Sequence, residues 1–341
     1  MERRTFLPLL GTAALGVSLL SATRKNWEGT HTPGLIFPKR LKLGDTIGIT
    51  APAGAVSDER DIEEFVEVLT ELGFETKVGS VTKGRFGYFS GTDEERAADF
   101  MDMVTDDGVD AIFFQRGGWG CARILPLIDF SIITENPKII MGFSDITTLL
   151  NAITFRTGIV TFHGPSGSSS WNDYSVEYVK KLLLENDTRH YENHDENDLD
   201  IVTLTPGQAE GELYGGNLSV ISGMVGSEYL PIWKGKILFL EDVSEEPYRI
   251  DRMLVHLKLA GVYDHLEGLI LGTFSNCESK YPDRSFPLVE VFEHHFKDTH
   301  FPVYYGAQIG HTGNKYTVPV GPRVRMDADK GTLDLLEPCV T

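Results

Sequence analysis

A serine stands where an apolar segment meets the start of a predicted helix. Residues 138–142 predict a strand and residues 145–156 a helix, so Ser144 lies in the turn between them. In an open parallel sheet, such turns face the crevice where ligands bind. A serine hydroxyl there can act as a nucleophile, and the first N–H groups of the helix can stabilise an oxyanion. However, Ile146 replaces the second glycine of GxSxG, and serine is also a favoured N-cap, so both roles stay open.

A glycine-rich loop follows the preceding predicted strand. The apolar segment 109–115 leads directly into Arg-Gly-Gly-Trp-Gly at 116–120. Adjacent glycines allow a backbone N–H to approach a ligand closely. The loop matches neither a Walker motif nor GxGxxG, because the required spacing and the Lys-Ser/Thr pair are missing. The two interpretations are a plain turn and an N–H donor that faces Ser144.

A histidine and a carboxylate in the second half of the chain could serve such a nucleophile. His311 stands in a glycine-rich loop, 310–314, between apolar segments. Glu241 ends the apolar run 237–240, which predicts a strand whose carboxyl end lies near the crevice. A carboxylate there can orient an imidazole. The alternatives are an exposed loop histidine and a solvated strand end.

We predict no metal site and no cofactor. His294 and His295 are adjacent, so on a helix they point about 100° apart, and the sequence contains no HExxH. The three cysteines are widely spaced, which excludes a CxxC knuckle and a disulfide scaffold. His163 follows a predicted strand and either contacts the site or forms a structural turn.

Strands and helices alternate along the first half of the chain, which predicts a parallel sheet with helices on both faces. The polar segment 185–211 interrupts this rhythm. After it come further strands and helices, and then short β-like segments. We therefore expect an α/β protein with a nucleophile domain at 35–185, a linker at 186–207 and a C-terminal domain at 208–341 that carries Glu241 and His311. A length of 341 residues fits two domains.

The N-terminus predicts a targeting segment. Arg3 and Arg4 precede an uncharged run, 6–22, as in a twin-arginine export signal. The run is shorter than the roughly 20 residues that span a bilayer. We assign 1–26 to an export signal or anchor and expect a periplasmic or envelope-associated protein. An ordinary Sec signal, a short retained anchor and a cytoplasmic location are the alternatives.

The composition excludes several classes of partner. The formal charge is −19, from 31 basic and 50 acidic residues. Nucleic-acid binding needs a basic face, and so does adhesion to anionic lipid. We therefore expect no nucleic-acid partner, and no membrane contact beyond an N-terminal anchor. With 41% hydrophobic and 24% charged residues the chain is globular rather than disordered.

Taken in order, the motifs resemble the LD-carboxypeptidase family of serine peptidases, which includes muramoyl-tetrapeptide carboxypeptidases and microcin-C immunity peptidases. The resemblance covers about 41–336. It rests on seven motifs: RGGWG at 116–120, GFSD at 142–145, HGP at 163–165, YGGNL at 214–218, FLED at 239–242, YRIDRML at 248–254 and GHTGN at 310–314. Tryptophan at 119 is a departure, because the family usually has tyrosine there.

The resemblance implies a catalytic triad, with Ser144 as nucleophile, His311 as general base and Glu241 as the carboxylate that orients it. The backbone N–H groups of Gly118 and Asp145 would form the oxyanion hole. The resemblance also implies a flavodoxin-like N-terminal domain, a smaller β-rich C-terminal domain, a triad assembled across their interface, and a homodimer.

The expected function is therefore a metal-independent serine carboxypeptidase that hydrolyses the L,D-peptide bond to the terminal D-alanine of peptidoglycan tetrapeptides. One alternative is a peptidase that inactivates a microcin-C-type peptide-nucleotide antibiotic, with Trp171 as a candidate for nucleobase stacking. Another is a non-catalytic muropeptide-binding protein of the envelope. Arg116 and Arg252 could recognise the terminal carboxylate or make structural ion pairs.

Overall fold

Strands and helices alternate through the first half of the protein. The computed structural model describes residues 33–187, 190–193 and 200–341, so the predicted export signal at 1–26 lies outside the described residues. The strands of this half are β1 (Thr46–Thr50), β2 (Glu75–Val78), β3 (Ala111–Phe114), β4 (Ile139–Gly142) and β5 (Thr161–His163). The helices are α1 (Arg60–Glu71), α2 (Asp93–Thr105), α3 (Cys121–Ile124), α4 (Phe130–Glu135), α5 (Thr147–Thr157) and α6 (Asp173–Lys180).

These five strands form a parallel sheet in the order β2-β1-β3-β4-β5. This is the flavodoxin-like strand order, as predicted. Every residue of β3 and of β4 is buried. Central strands of a parallel sheet are covered on both faces, which explains their continuous apolar sequence.

The second sheet has eight strands among the described residues. They are β6 (His190–Tyr191), β7 (Val202–Thr205), β8 (Gln208–Asn217), β9 (Lys236–Val243), β10 (Gly268–Ser275), β11 (Val303–Tyr305), β13 (Arg323–Asp327) and β14 (Thr332–Leu335). Their order in the sheet is β6-β14-β13-β8-β9-β10-β11-β7. The pairs β8–β9, β9–β10 and β10–β11 are parallel, and the outer pairs are antiparallel. Its helices are α7 (Leu218–Met224), α8 (Pro247–Leu259) and α9 (Leu288–Phe296).

Three strands depart from the expected organisation. The segment predicted as a linker, 186–207, contributes β6 and β7 to the two edges of the second sheet. The late strand β12 (Val318–Val320) pairs antiparallel with β5 and so completes the first sheet as its sixth strand. An edge strand leaves a row of backbone groups unpaired, and a segment of two to four residues can pair with it although it is too short to show a strand pattern in the sequence.

Helix α2 shows how closely local sequence sets the element boundaries. Thr92 accepts a hydrogen bond from the Glu95 backbone N–H at 3.2 Å, and the Glu95 carboxylate accepts one from the Thr92 N–H at 2.9 Å. This capping box satisfies two N–H groups that the helix would otherwise leave unpaired. The three cysteines are free and buried. In the described ranges, none of the helices is long and apolar enough to cross a membrane.

Candidate active site

Ser144 stands at the carboxyl end of β4, in a strained backbone conformation. Phe143 is extended, and residues 144–146 form a short 3-10 helix that leads into α5. The φ angle of Ser144 is +64°, which is uncommon for a residue with a side chain. Strain of this kind recurs at functional sites, where the surrounding structure enforces it. The turn presents the serine above the sheet, as the sequence predicts.

The glycine-rich loop after β3 packs directly against this turn. A Cβ atom at Gly117 would lie 2.8 Å from the Ser144 Oγ, so only glycine fits there. Gly118 follows with φ at +113°. The Cys121 N–H donates to the Asp145 Oδ2 at 2.8 Å, which ties the loop to the serine turn. Burial raises the pKa of Asp145.

Glu241 and His311 form a close pair. The His311 Nδ1 lies 2.6 Å from the Glu241 Oε2, and the His311 backbone N–H donates to the same oxygen at 3.2 Å. Glu241 is fully buried near the end of β9. Burial acts to raise its pKa, but the hydrogen bond and charge of His311 outweigh that effect and hold the pKa below its usual value. The ionised carboxylate can only accept, so the Nδ1 carries a proton, and in the neutral form of the ring the Nε2 is then an acceptor.

The ring of Phe143 links the two halves of the site. Its centroid lies 4.7 Å from that of the His311 ring, and Phe143 immediately precedes Ser144. The His311 carbonyl accepts a hydrogen bond of 2.5 Å from the Ser275 Oγ at the end of β10. The fold therefore brings together the serine turn of the first sheet and the glutamate–histidine pair held by the second.

A cavity of about 450 Å³ opens beside Ser144. Its lining includes Gly118, Asp145 and Trp119, and also Asn217 and Asp242. Trp119 is half exposed at the rim. The N–H groups at the start of a helix lack intrahelical partners, so the backbone at Asp145 offers donors close to the serine. The cavity is large enough for part of a peptide.

Sequence reasoning assigned no role to Asn217 or Asp242. The Asn217 N–H donates to the Thr147 Oγ1 at 3.0 Å, and its Nδ2 donates to the Asp242 Oδ1 at 3.1 Å. Asp242 also accepts from the Ser219 backbone N–H and hydroxyl, and burial raises its pKa to about 6. The sequence signal was that Asn217 and Asp242 lie in two motifs of the family resemblance, YGGNL at 214–218 and FLED at 239–242.

His163 lies behind the site. It is buried at the end of β5, with its ring 6.1 Å from that of Phe143 and 5.2 Å from that of Phe239. Burial lowers its pKa to about 4, although Glu241 opposes the shift. The ring is therefore neutral near pH 7 and adds no positive charge beside the Glu241 carboxylate.

Several other candidates lie away from the site or are already engaged. Trp171 packs on the rings of Phe65 and Phe113, at 5.6 and 6.4 Å, and its Nε1 donates to the Ser166 carbonyl. Arg116 donates to the Ala55 carbonyl at 2.9 Å. Arg252 is exposed on α8. Within 33–187, 190–193 and 200–341, no group of three or more His, Cys, Asp or Glu residues is arranged to hold a metal ion.

A flavodoxin-like sheet carries a serine turn at the end of a strand, and the ring of Phe143, beside that serine, contacts the histidine of a Glu–His pair. This combination is typical of a serine hydrolase. The sequence matches two family models, the LD-carboxypeptidase N-terminal domain over residues 47–164 and the LD-carboxypeptidase C-terminal domain over 210–326. The chain belongs to the LD-carboxypeptidase family of serine peptidases, which confirms the resemblance.

Named relatives come from both branches of this family. A Bacillus subtilis protein named "Probable murein peptide carboxypeptidase" is 39% identical over 300 residues, covering 86% of this chain and 92% of that protein. The murein tetrapeptide carboxypeptidase of Pseudomonas aeruginosa is 28% identical, covering 83% and 94% of the two chains. The microcin C7 self-immunity protein MccF of Escherichia coli is 32% identical, covering 87% and 94%.

Solved structures give the same picture. MccF in complex with aspartyl sulfamoyl adenosine superposes with a TM-score of 0.82 at 28% identity, covering 90% of this chain and all of that one. The muramoyltetrapeptide carboxypeptidase of Oxalobacter formigenes gives a TM-score of 0.75 at 29% identity, covering 87% and 100%. The protein is a serine carboxypeptidase by family and fold.

Proposed function

We propose that the protein hydrolyses the L,D-peptide bond that links terminal D-alanine to a peptidoglycan tetrapeptide. The observation that carries this proposal is the 39% identity, over most of both chains, to the relative named as a murein peptide carboxypeptidase. The close Glu241–His311 pair beside the serine turn supports a hydrolytic role rather than the non-catalytic binding alternative.

In this mechanism Ser144 attacks the carbonyl carbon of the scissile bond. Free serine is a weak nucleophile, and the His311 Nε2 takes its proton as the acyl carbon–oxygen bond forms. Glu241 fixes the ring orientation and stabilises the imidazolium. The N–H groups of Gly118 and Asp145 bind the oxyanion, each contributing roughly 3–4 kcal/mol if they resemble measured cases. His311 then protonates the leaving D-alanine amine, and water hydrolyses the acyl-enzyme by the same steps.

The test is incubation of the purified protein with disaccharide tetrapeptide, followed by mass spectrometry. We expect loss of one alanine residue, with free D-alanine in equal amount. Ser144→Ala should remove this activity while leaving the fold intact by circular dichroism. Binding of the tetrapeptide by the wild type without any cleavage would refute the proposal in favour of a binding protein.

A second candidate is inactivation of an aminoacyl-nucleotide antibiotic. It is supported by the TM-score of 0.82 to the structure of MccF in complex with aspartyl sulfamoyl adenosine. Against it, the aromatic residue that we considered for nucleobase stacking, Trp171, is packed on Phe65 and Phe113. Parallel assays with the tetrapeptide and with aspartyl sulfamoyl adenosine separate the two functions, because the larger kcat/KM identifies the substrate class.

We also propose that the protein is exported and acts in the periplasm or at the envelope as a homodimer. The arginine pair at positions 3 and 4 supports export. Replacing both arginines with lysine should retain a tagged protein in the cytoplasm, as cell fractionation would show. Light scattering on the purified protein tests the dimer.

A further inference from the structure

Lys315 carries a nearly buried ammonium group that has no oxygen partner among the described residues. The residue is 4% exposed. Its Nζ lies 4.4 Å from the centre of the Phe143 ring, and its backbone N–H donates to the Ser175 Oγ at 3.3 Å. Within the described part of the chain, the ammonium makes no hydrogen bond and no ion pair. Buried lysines are normally paired, so this ammonium can bind an anion that is not part of the protein.

The ammonium lies on the histidine side of the site. Phe143 immediately precedes Ser144, and the ring that the Lys315 Nζ contacts is also 4.7 Å from the His311 ring. In the proposed mechanism His311 protonates the leaving amine, so the released residue must lie against His311. Its α-carboxylate is attached to the carbon that carries this amine. That carboxylate therefore lies in the same part of the site as Lys315.

The cavity on the other side of Ser144 offers no cationic side chain to a free carboxylate. The cavity there is lined by Asp145 and Asp242, and its described lining contains neither lysine nor arginine. Two acidic side chains disfavour a further carboxylate in a partly buried site.

The two arginines considered from the sequence are less suitable. Arg116 already donates to the Ala55 carbonyl, and Arg252 is exposed on α8. We propose that Lys315 binds the free α-carboxylate of the residue that is released, and so selects peptides cleaved at their C-terminal residue. This assignment rests on the proposed carboxypeptidase function. Burial lowers the pKa of Lys315 to about 8, although Glu241 opposes the shift, which agrees with a cation that lacks a close counter-ion.

The experiment compares two substrates that differ only at the C-terminus, the tetrapeptide ending in D-alanine and the same peptide ending in D-alaninamide. A hydrogen bond to a charged group changes affinity by roughly 10- to 150-fold. We expect the wild type to favour the acid by about that factor in kcat/KM. Lys315→Met should bring the acid-to-amide ratio close to one and leave kcat/KM for the amide within about threefold. Arg252→Met is the matched control and should keep the wild-type ratio.

Each other result has a definite meaning. An unchanged ratio in Lys315→Met, or an equal loss toward both substrates, overturns the assignment, since the second result marks a structural role. A wild type that cleaves neither peptide refutes the proposed function, and this assignment with it. If Lys315→Met does not fold, the wild-type ratio is measured between pH 6 and 10. It should fall above about pH 8 as the ammonium loses its proton, and a constant ratio contradicts carboxylate binding by Lys315.

Discussion

The Glu241 Oε2 accepts two hydrogen bonds from His311, one from the ring Nδ1 at 2.6 Å and one from the backbone N–H at 3.2 Å. Two contacts to one carboxylate oxygen set the position of the imidazole and also its tautomer. A Cβ atom at Gly310 would lie 2.4 Å from the same oxygen, so the chain can approach Glu241 this closely only because that residue is glycine. The contact between Glu241 and His311 therefore depends on the backbone geometry of the loop as well as on charge.

Glu241→Gln should abolish most of the activity. The amide keeps the shape of the side chain but removes the charge that stabilises the imidazolium, and its NH₂ group favours the wrong histidine tautomer. In a comparable triad this change lowers kcat about 10⁴-fold, so we expect a loss of about 10³-fold or more in kcat on the tetrapeptide, with KM within about threefold. The control is Glu267→Gln, because Glu267 is exposed and lies immediately before the first residue of β10. Wild-type kcat in Glu241→Gln would show that the carboxylate is not part of the machinery.

The strained backbone of Ser144 predicts a difference in stability between two inactive variants. At φ = +64° an alanine keeps the steric cost of its Cβ, whereas glycine does not. Ser144→Gly should therefore be more stable than Ser144→Ala by about 1 kcal/mol. Urea denaturation followed by circular dichroism measures both free energies of unfolding. Equal stability, or a more stable alanine variant, would mean that the turn relaxes when the hydroxyl is removed.

Gly117→Ala should impair catalysis through direct contact. The added Cβ would lie 2.7 Å from the Ser144 Cβ, so the serine or the loop must move. A displacement near 1 Å commonly costs about 10²-fold in rate, and we expect kcat/KM to fall by that factor or more. Gly313→Ala is a stringent control in the loop of His311, because its Cβ would meet nothing within 4 Å. Comparable losses in both variants would argue against a specific clash at Ser144.

The pH dependence of substrate selection follows from the pKa of Lys315. Because that pKa is about 8, the side chain is charged below pH 8 and neutral above it. The preference for the acid substrate over the amide should thus be full below pH 7 and decline through pH 8. Glu241 stays ionised and His163 stays neutral between pH 6 and 10, since the pKa of Glu241 is lowered and that of His163 is about 4.

The terminal carboxylate should itself stabilise the charged lysine. In the enzyme–substrate complex the pKa of Lys315 is expected to rise, so the decline in the kcat ratio should occur at a higher pH than that in the kcat/KM ratio. Lys315→Arg keeps its charge across this range and should retain its acid preference to pH 10. A decline at pH 8 in the arginine variant would assign the titration to another group.

Local sequence was sufficient to predict most of the helices and strands and the types of residue in the candidate site. The capping box of Thr92 and Glu95 sets the start of α2, the apolar runs predict β3, β4 and β9, and residue order alone placed Ser144 and Glu241 at strand ends. These predictions depend on interactions between residues that are close in the chain, such as caps, periodicity and turns. Motif order then identified the family, which the two domain matches confirm.

The tertiary structure decided what depends on residues far apart in the chain. Only pairing between sheet edges shows that β12 completes the first sheet, or that 186–207 contains β6 and β7. Trp171 became a core residue because Phe65 and Phe113 meet it. The sequence did not indicate a role for Lys315. Whether its ammonium has a partner depends on which residues the fold places around it, and these are far apart in the chain. The sequence named the reacting groups, and packing determined which charges remain open to a substrate.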